Sequence, residues 1–254
     1  MFFCGHQLKE GVRTFFHSCC ALPENLWSAL IFLLRAYPQK ITFWQKFLLL
    51  ARFFAVSLRV RCLHKQSEIL KVAGAILALP PGIEGCVVEA GCYKGGSSIK
   101  LSLACKLARR RLVVFDSFAG LPEDEASGCK IRFSKHDYRA SLNEVMNNVR
   151  RLGALEVCRF QAGWFEETLP KFTDNIAVIY LDVDLASSTQ TCLQYLYPLL
   201  VLGGVLFSHD GHLPLVVEVF NDERFWADMV GIAKPSTRGL KHSKLIKIVK
   251  HSQV

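Results

Sequence analysis

The sequence lacks several motifs that would identify a function at once. Its ten cysteines include no Cys-x-x-Cys pair, so we predict neither a disulfide framework nor a zinc site, and we expect mostly small buried cysteines in a reducing cytoplasm. No basic, apolar segment typical of a secretory signal peptide opens the chain. With 254 residues, 51% of them hydrophobic and 21% charged, disorder and a fibrous repeat are excluded. The length predicts one domain with a smaller appendage.

Acidic residues are scarce at both ends of the chain. Residues 1–71 hold ten Lys and Arg against three Asp and Glu, and residues 234–254 hold six Lys and Arg with no acid, within a total net charge of +9. The segment between them is mildly acidic. This argues against a nucleic-acid partner, because such a protein carries its positive charge on its working face. The basic ends either keep the protein soluble or contact anionic lipid.

The first 67 residues are predicted to form a helical extension. Two apolar segments, 26–34 and 43–60, are interrupted by Lys and Arg, and the longest charge-free stretch of the second is 53–58. That is far short of the ~18 apolar residues that a membrane-spanning helix needs. We therefore expect two amphipathic helices broken near Pro38. They either cover the core or form the dimer face of a homo-oligomer, or they lie on a membrane surface.

Residues 68–254 alternate between strand-like and helix-like segments. This alternation predicts an α/β domain with a mainly parallel sheet and helices on both faces. A final strand at 244–250, with 229–233 as a candidate partner, would add a hairpin-like ending. The predicted strands are 86–89, 112–115, 157–160, 177–181 and 205–207, and the predicted helices are 97–109, 138–152, 187–200 and 213–227.

The turn after the first predicted strand is rich in glycine. Residues 89–98 read EAGCYKGGSS, which fits neither a phosphate-binding P-loop nor the Gly-x-Gly-x-x-Gly dinucleotide motif. Glycine permits a tight turn and close approach of a ligand to the backbone. An acid before such a turn, Glu89, suits a ligand with a cationic amino-acid end. A plain tight turn is the alternative.

Polar or aromatic side chains also follow the next predicted strands. Ligands of an open α/β sheet bind beyond the carboxyl ends of its strands. Asp116 follows the second strand, where it could accept both hydroxyls of a ribose. Trp164 follows the third strand after Gly163, and either covers a purine ring or belongs to the core.

Carboxylates and an imidazole follow the fourth and fifth predicted strands. Asp182 and Asp184 are two residues apart, so their side chains face the same side of an extended chain, and His209 and Asp210 follow the fifth strand. Together these groups predict a divalent-cation site. Asp184 could instead cap the next helix, and His209 could be a structural residue.

Four ordered motifs give the sequence a family resemblance. Residues 88–96 (VEAGCYKGG) resemble the first motif of class I S-adenosylmethionine-dependent methyltransferases. Residues 116–122 (DSFAGLP), 163–170 (GWFEETLP) and 181–189 (LDVDLASST) are similar to the macrocin and mycinamicin sugar O-methyltransferases. The resemblance covers roughly residues 68–250. It implies a Rossmann-like class I methyltransferase fold with seven strands, S-adenosylmethionine as cofactor, and a magnesium ion.

The resemblance also implies roles for individual residues. The chain departs from the family at His209, where the family has an aspartate, and at Ala186, where it has a tyrosine. An imidazole ligand would shift the metal preference from Mg²⁺ toward Mn²⁺. The implied cofactor-binding residues are Glu89 and Gly91 at the methionine part, Asp116 at the ribose, Ser117 and Trp164 on the adenine side, and, without a more specific position, Tyr93, Gly95, Ser97, Gly163 and Asp182; the implied metal ligands are Asp182, His209 and Asp210.

Together these observations predict an S-adenosylmethionine-dependent O-methyltransferase, acting on a hydroxyl of a sugar, a glycosylated small molecule or a glycan. Asp182, or failing it Asp184, would accept the proton. Residues 122–138 would form a lid over the acceptor. The alternatives are a nicotinamide-dependent oxidoreductase and a non-catalytic S-adenosylmethionine-binding protein associated with a membrane. The protein is expected in the cytoplasm, at the inner membrane face if the N-terminal segment binds lipid.

Overall fold

A seven-stranded sheet forms the centre of the computed structural model, which describes residues 22–122, 125–126, 132–240 and 243–251. The strand order is β5-β2-β1-β6-β7-β9-β8. The first five strands in this order are parallel, and β9 runs antiparallel to both of its neighbours. The strands are β1 (Cys86–Ala90), β2 (Leu112–Asp116), β5 (Cys158–Ala162), β6 (Ile176–Leu181), β7 (Leu200–Ser208), β8 (Thr237–Arg238) and β9 (Ile246–Val249); a separate hairpin pairs β3 (Glu125–Ala126) with β4 (Arg132–Phe133).

Helices cover both faces of this sheet, as predicted. Successive strand residues face opposite sides, so Val87 belongs to one hydrophobic cluster and Val88 to the other. The described helices are α1 (Leu22–Leu34), α2 (Phe43–Arg59), α3 (Gln66–Ala78), α4 (Gly96–Ala108), α5 (Leu142–Leu152), α6 (Phe165–Thr168), α7 (Ala186–Leu196), α8 (Pro214–Asn221) and α9 (Glu223–Phe225), followed by a π-helical turn at Trp226–Val230. The predicted α/β class is confirmed.

The N-terminal helices are part of the layer on one face of the sheet. Leu49, Phe53 and Val56 of α2 join the same hydrophobic cluster as the residues of α3 and α4. Helix α2 begins where Thr42 accepts a hydrogen bond from the Gln45 amide, a capping box that fixes the start. No described helix is both long enough and apolar enough to cross a bilayer.

Helix α3 has no counterpart in the sequence prediction. It begins at Gln66, within the predicted extension of residues 1–67, and continues into the segment assigned to the following domain. It contacts both α1 and α4. This position makes α3 the connection between the N-terminal helices and the sheet.

The predicted strand at 229–233 is wrong. Met229 lies in the π-helical turn after Trp226, and the strand that pairs with β9 is β8. Trp226 is fully buried against Tyr197 and Phe225, which holds this segment in a helical conformation. A short apolar run does not distinguish a strand from a buried helix, and here burial of the indole decides.

Other boundaries differ by a few residues. The helix predicted at 138–152 begins at Leu142, because the Ser141 side chain accepts a hydrogen bond from the Glu144 amide. The helix predicted at 213–227 breaks at Asp222, whose carboxylate caps α9. Of the predicted lid, residues 123–124 and 127–131 lie outside the described residues, and the rest includes the β3–β4 hairpin.

Candidate functional site

A cavity of about 610 Å³ opens beyond the carboxyl ends of the parallel strands. Its walls come from the segments after β1, β2, β5, β6 and β7, and from residues 61–64 between α2 and α3. This is the edge at which the sequence predicts a site. Of the predicted site residues, Gly91, Tyr93, Ser97, Asp116, Ser117, Gly163, Trp164, Asp182, Asp184 and His209 line the cavity, whereas Glu89, Gly95 and Asp210 do not.

The glycine turn after β1 brings the backbone close to the end of β6. At Gly91, which has a φ of +81°, an added Cβ would lie 2.0 Å from the carbonyl oxygen of Asp182. Only glycine fits that position. Gly95 has a left-handed conformation and precedes α4, whose buried residue Ser97 faces the cavity. At its glycine positions the turn therefore presents backbone atoms, rather than side chains, to a ligand.

Glu89 at the end of β1 is a buried carboxyl group that lacks a partner. It is fully buried, and neither of its carboxylate oxygens has a hydrogen-bond partner in the described part of the chain. Burial raises the pKa of Glu89 to about 8, while the nearby hydroxyls of Ser97 and Ser98 oppose the rise. An unpartnered buried carboxyl costs free energy unless a ligand supplies the missing donor. The residue therefore fits a cationic ligand group.

Asp116 fixes the turn after β1 to the end of β2. Its Oδ2 accepts a hydrogen bond from the Cys92 amide at 2.7 Å, and its Oδ1 accepts one from the Phe118 amide at 2.7 Å. Each carboxylate oxygen can accept a second hydrogen bond, so a ligand hydroxyl can still be held. Trp164 is half-buried at the cavity wall, with its indole neither fully in the core nor fully exposed.

Asp182, His209 and Asp210 form a cluster whose ligand atoms all lie within 4.8 Å of one another. His209 Nδ1 lies 3.2 Å from Asp182 Oδ1. Asp210 Oδ2 accepts hydrogen bonds from the amides of Val183 and Asp184, and its buried Oδ1 has no partner among the described residues. Two carboxylates, one of which has an oxygen without a partner, and an imidazole form a donor set that fits a divalent cation.

Glu68 of α3 completes this cluster, and the sequence gives no signal for it. Its Oε2 lies 2.9 Å from His209 Nε2, and both side chains are buried. The same oxygen accepts a hydrogen bond from the Lys65 amide at 2.6 Å. Glu68 precedes no strand and is 141 residues from His209 along the chain, so only the packing of α3 reveals the contact.

The imidazole of His209 lies between two carboxylates, those of Asp182 and Glu68. Burial alone would lower the pKa of the imidazole, but the carboxylates of Asp182 and Glu68 raise it well above its ordinary value. Burial would likewise raise the pKa of Glu68, but its hydrogen bond with His209 lowers it. The imidazole is therefore an imidazolium at neutral pH when no cation is bound. A metal ion would replace the proton on Nδ1, while Glu68 still holds Nε2–H.

Asp184 has an unusual backbone conformation and a perturbed carboxyl group. It has a φ of +61°, and the residue that caps α7 is Leu185, so the helix-capping alternative for Asp184 is wrong. Burial, together with Asp210 and Asp182, raises the pKa of Asp184 well above its ordinary value. Burial raises the pKa of Asp210 to about 7. Asp182 lines the cavity and is half-buried, so it is placed to accept a proton from a bound ligand.

Comparison with known proteins identifies relatives of this arrangement. The family model described as macrocin O-methyltransferase (TylF) matches residues 69–231. A tetracenomycin rhamnosyl 4'-O-methyltransferase of Streptomyces olivaceus is 36% identical over 157 residues, which cover 58% of this chain and 60% of that protein. Mycinamicin III 3''-O-methyltransferase of Micromonospora griseorubida is 31% identical over 160 residues, 58% of this chain and 63% of that protein. The matches thus span about three fifths of these relatives.

Solved structures share the fold. The O-methyltransferase NovP superposes with a TM-score of 0.66 at 23% identity, covering 76% of this chain and 84% of that one. The calicheamicin methyltransferase CalS11 superposes with a TM-score of 0.59 at 16% identity, covering 81% and 92%. Glu68 lies one residue before the segment that the family model matches, and α1 and α2 lie wholly outside it.

Proposed function

Because the chain belongs to the macrocin O-methyltransferase family, we propose that it transfers a methyl group from S-adenosylmethionine to a hydroxyl of a sugar, on a glycosylated small molecule or a glycan. The observation that carries the proposal is that Asp116, Asp182 and His209 line one cavity at the carboxyl ends of the strands. The relatives named for sugar O-methylation support the acceptor class.

The donor would lie along the turn after β1. The unpartnered carboxyl of Glu89 is buried behind the cavity wall formed by Gly91 and Ser97, and it would bind the cationic amino group of the methionine part, which would give Glu89 the donor that it lacks. Asp116 would hold the ribose hydroxyls. Ser117, Gly163 and Trp164 would surround the adenine, with the half-buried indole available for stacking. S-adenosylmethionine, when bound, supplies a methyl group on a positively charged sulfur.

Asp182, His209 and Asp210 would hold a divalent cation, either Mg²⁺ or Mn²⁺. Such a cation, when bound, lowers the pKa of a coordinated hydroxyl. The imidazole of His209 favours Mn²⁺ relative to an all-oxygen site. Glu68 would orient that imidazole through Nε2, which leaves Nδ1 facing Asp182.

Asp182 would accept the proton of the acceptor hydroxyl. It lines the cavity and is partly exposed to it, whereas Asp210 is fully buried and does not line it. Asp184 also lines the cavity and is the second candidate for this role. The main contribution of the other residues is alignment, because the reaction is an in-line displacement.

We further propose that the enzyme acts in the cytoplasm as a homo-oligomer that contacts a membrane face. Family membership favours methyl transfer over hydride transfer. A thermal shift assay with S-adenosylhomocysteine, NAD and NADP distinguishes the two activities. A methyltransferase should show a higher melting temperature with S-adenosylhomocysteine and no change with NAD or NADP.

A methyl-transfer assay tests the proposal directly. With labelled S-adenosylmethionine and a panel of deoxysugar glycosides and glycans, the wild type should label at least one acceptor. Asp182→Asn should reduce kcat by about 10²- to 10⁴-fold, the usual contribution of a positioned base. Asp228→Asn, an exposed aspartate on the π-helical turn, is the matched control and should retain full activity. Full activity of Asp182→Asn would refute the assignment.

A further inference from the structure

The outer face of α2 is apolar, although it faces solvent. Lys46, Leu49, Leu50, Phe53 and Val56 form its buried face. The opposite side exposes a continuous stripe at helical spacing, in which Trp44 is 73% and Leu58 is 88% exposed. The exposed large apolar residues of α2 are Phe43, Trp44, Phe47, Leu48, Phe54 and Leu58. A surface patch that contains six exposed large apolar residues of one helix marks an interaction site.

Helix α1 has a second apolar face of the same kind. Trp27 is 65% exposed, and the exposed apolar residues again recur at helical spacing. Phe32 on the opposite side is buried in the core cluster. The exposed set comprises Leu26, Trp27, Leu30, Ile31 and Leu34. The two helices pack against each other, and we call their two exposed apolar faces together the α1–α2 surface.

The exposed charges of helix α2 are all positive. Helix α2 contains no acidic residue, and Arg52 and Arg59 lie exposed beside its apolar stripe. On α1, Glu24 is already bound to Lys65 and Ser67. A symmetric dimer through this surface would bring the same arginines of two copies together without an acid to neutralise them. The charge pattern therefore favours an anionic partner over a second copy.

A basic cavity of about 1050 Å³ lies at the start of α2. Lys40 and Gln45, which flank the exposed residues Phe43 and Trp44 in the chain, form part of its wall. Its wall contains Lys40, Lys106, Arg109, Arg110 and Arg111 together with Glu84 and Asp174. Lys106 is paired with Glu156 and Arg111 with Asp174, so the charge available to a ligand comes mainly from Lys40 and Arg109. Basic residues beside exposed aromatic rings are the pattern of a protein that lies on an anionic lipid surface.

We propose that the α1–α2 surface binds the surface of a membrane rich in anionic lipid. The apolar stripes of the two helices enter the boundary between headgroups and acyl chains. The arginines beside them and the basic cavity contact the lipid phosphates. This proposal does not depend on the proposed methyl transfer. Residues 61–64, which follow α2 in the chain, form part of the wall of the catalytic cavity, so membrane binding would place that cavity near the lipid surface.

Vesicle binding by the full-length protein tests the proposal. We expect at least about ten-fold stronger co-sedimentation with vesicles that contain phosphatidylserine than with pure phosphatidylcholine, and weakening by 0.5 M NaCl through screening. The double variant Trp44→Glu/Leu48→Glu should lose binding at least about ten-fold, because the charges cannot enter the lipid boundary. Leu202→Glu is the matched control: Leu202 is 60% exposed on β7, against 61% for Leu48, and this variant should bind like the wild type.

A second double variant measures the electrostatic contribution to vesicle binding separately from the apolar contribution. Lys40→Gln/Arg109→Gln should weaken binding to anionic vesicles and reduce its salt dependence, with an unchanged circular dichroism melting curve.

Sedimentation velocity without lipid tests the competing explanation, that the α1–α2 surface is a dimer interface. If the wild type is a dimer that Trp44→Glu/Leu48→Glu dissociates, and no vesicle binds, the surface is a self-association face and the proposal is wrong. Equal binding to neutral and anionic vesicles would also overturn it.

Discussion

Glu68 and Glu89 are two buried glutamates on the same side of the protein, with opposite surroundings. Glu68 on α3 accepts hydrogen bonds from His209 and from the Lys65 amide. Glu89 on β1 has no hydrogen-bond partner in the described residues. The pKa of Glu68 is lowered, whereas burial raises the pKa of Glu89 to about 8. Burial alone therefore does not decide the state of a carboxyl; the presence of a cation beside it does.

The protein itself supplies the hydrogen-bond donors for the carboxylate of Glu68, but it supplies none for the carboxyl group of Glu89 among the described residues. The cation of Glu68 is supplied by the protein, so its carboxylate is charged and paired in the free enzyme. Glu89 would obtain its cation only from a ligand. A buried polar group without a partner is a cost that proteins retain mainly at functional sites. Three substitutions or titrations test this contrast.

The largest effect is expected for Glu68→Ala. Removing one partner of a buried ion pair leaves the His209 charge uncompensated on that side, which costs about 3–5 kcal/mol of the free energy of unfolding. Urea unfolding at pH 7 with EDTA present, so that no metal replaces the proton on His209, measures it. Glu218→Ala, which removes an exposed glutamate from α8, should change stability by less than about 0.5 kcal/mol.

The pH dependence of that difference has a defined sign. The folded pKa of His209 is raised, so its contribution is complete below its unfolded value and is lost as the pH rises through the folded one. The folded pKa of Glu68 is lowered, so its contribution is lost as the pH falls through that lowered value. The gap between wild type and Glu68→Ala should therefore narrow at both extremes. A gap independent of pH would contradict a charged pair.

The contrast between the two glutamates also shows what the sequence could predict. Glu89 precedes a glycine turn directly after a strand, so a local pattern identifies it. The strands, the turn and the carboxylates at the strand ends were predictable for the same reason: each depends on neighbours in the chain. Glu68 depends on where α3 packs. No pattern within a few residues of position 68 indicates that His209 lies opposite.

One alternative, helix capping by Asp184, and one prediction, a strand at 229–233, fail for the same reason. Asp184 precedes a helix and has the residue type of a cap, but the backbone turns left-handed there and Leu185 takes the cap position. The 229–233 segment has the composition of a short strand, but burial of Trp226 holds it in a helical turn. In both places a tertiary contact or a backbone angle overrides the local preference.

The second prediction concerns Glu89→Gln, which keeps the shape of the side chain and removes its charge. A charge-assisted hydrogen bond contributes about 1.5–3 kcal/mol, so the affinity for S-adenosylhomocysteine should fall by about 10- to 100-fold. Calorimetry measures the loss. Methylthioadenosine lacks the amino-acid end and should bind wild type and variant equally well. An equal loss for both ligands would mean that Glu89 supports the fold of the turn rather than the ligand.

The smallest effect, and the most direct test of the contrast, is proton release when the donor binds. With a folded pKa of about 8, Glu89 carries a proton in most free molecules at pH 7. A bound ammonium group beside it favours the ionised form, so binding should release up to about 0.9 proton per site. Calorimetry of S-adenosylhomocysteine binding in buffers with different ionisation enthalpies gives this number. Glu89→Gln should abolish the release, whereas Glu68→Gln should preserve it, because the Glu68 carboxylate is already ionised before the ligand arrives. Release that persists in Glu89→Gln would assign the proton to another group and remove the distinction between the two glutamates.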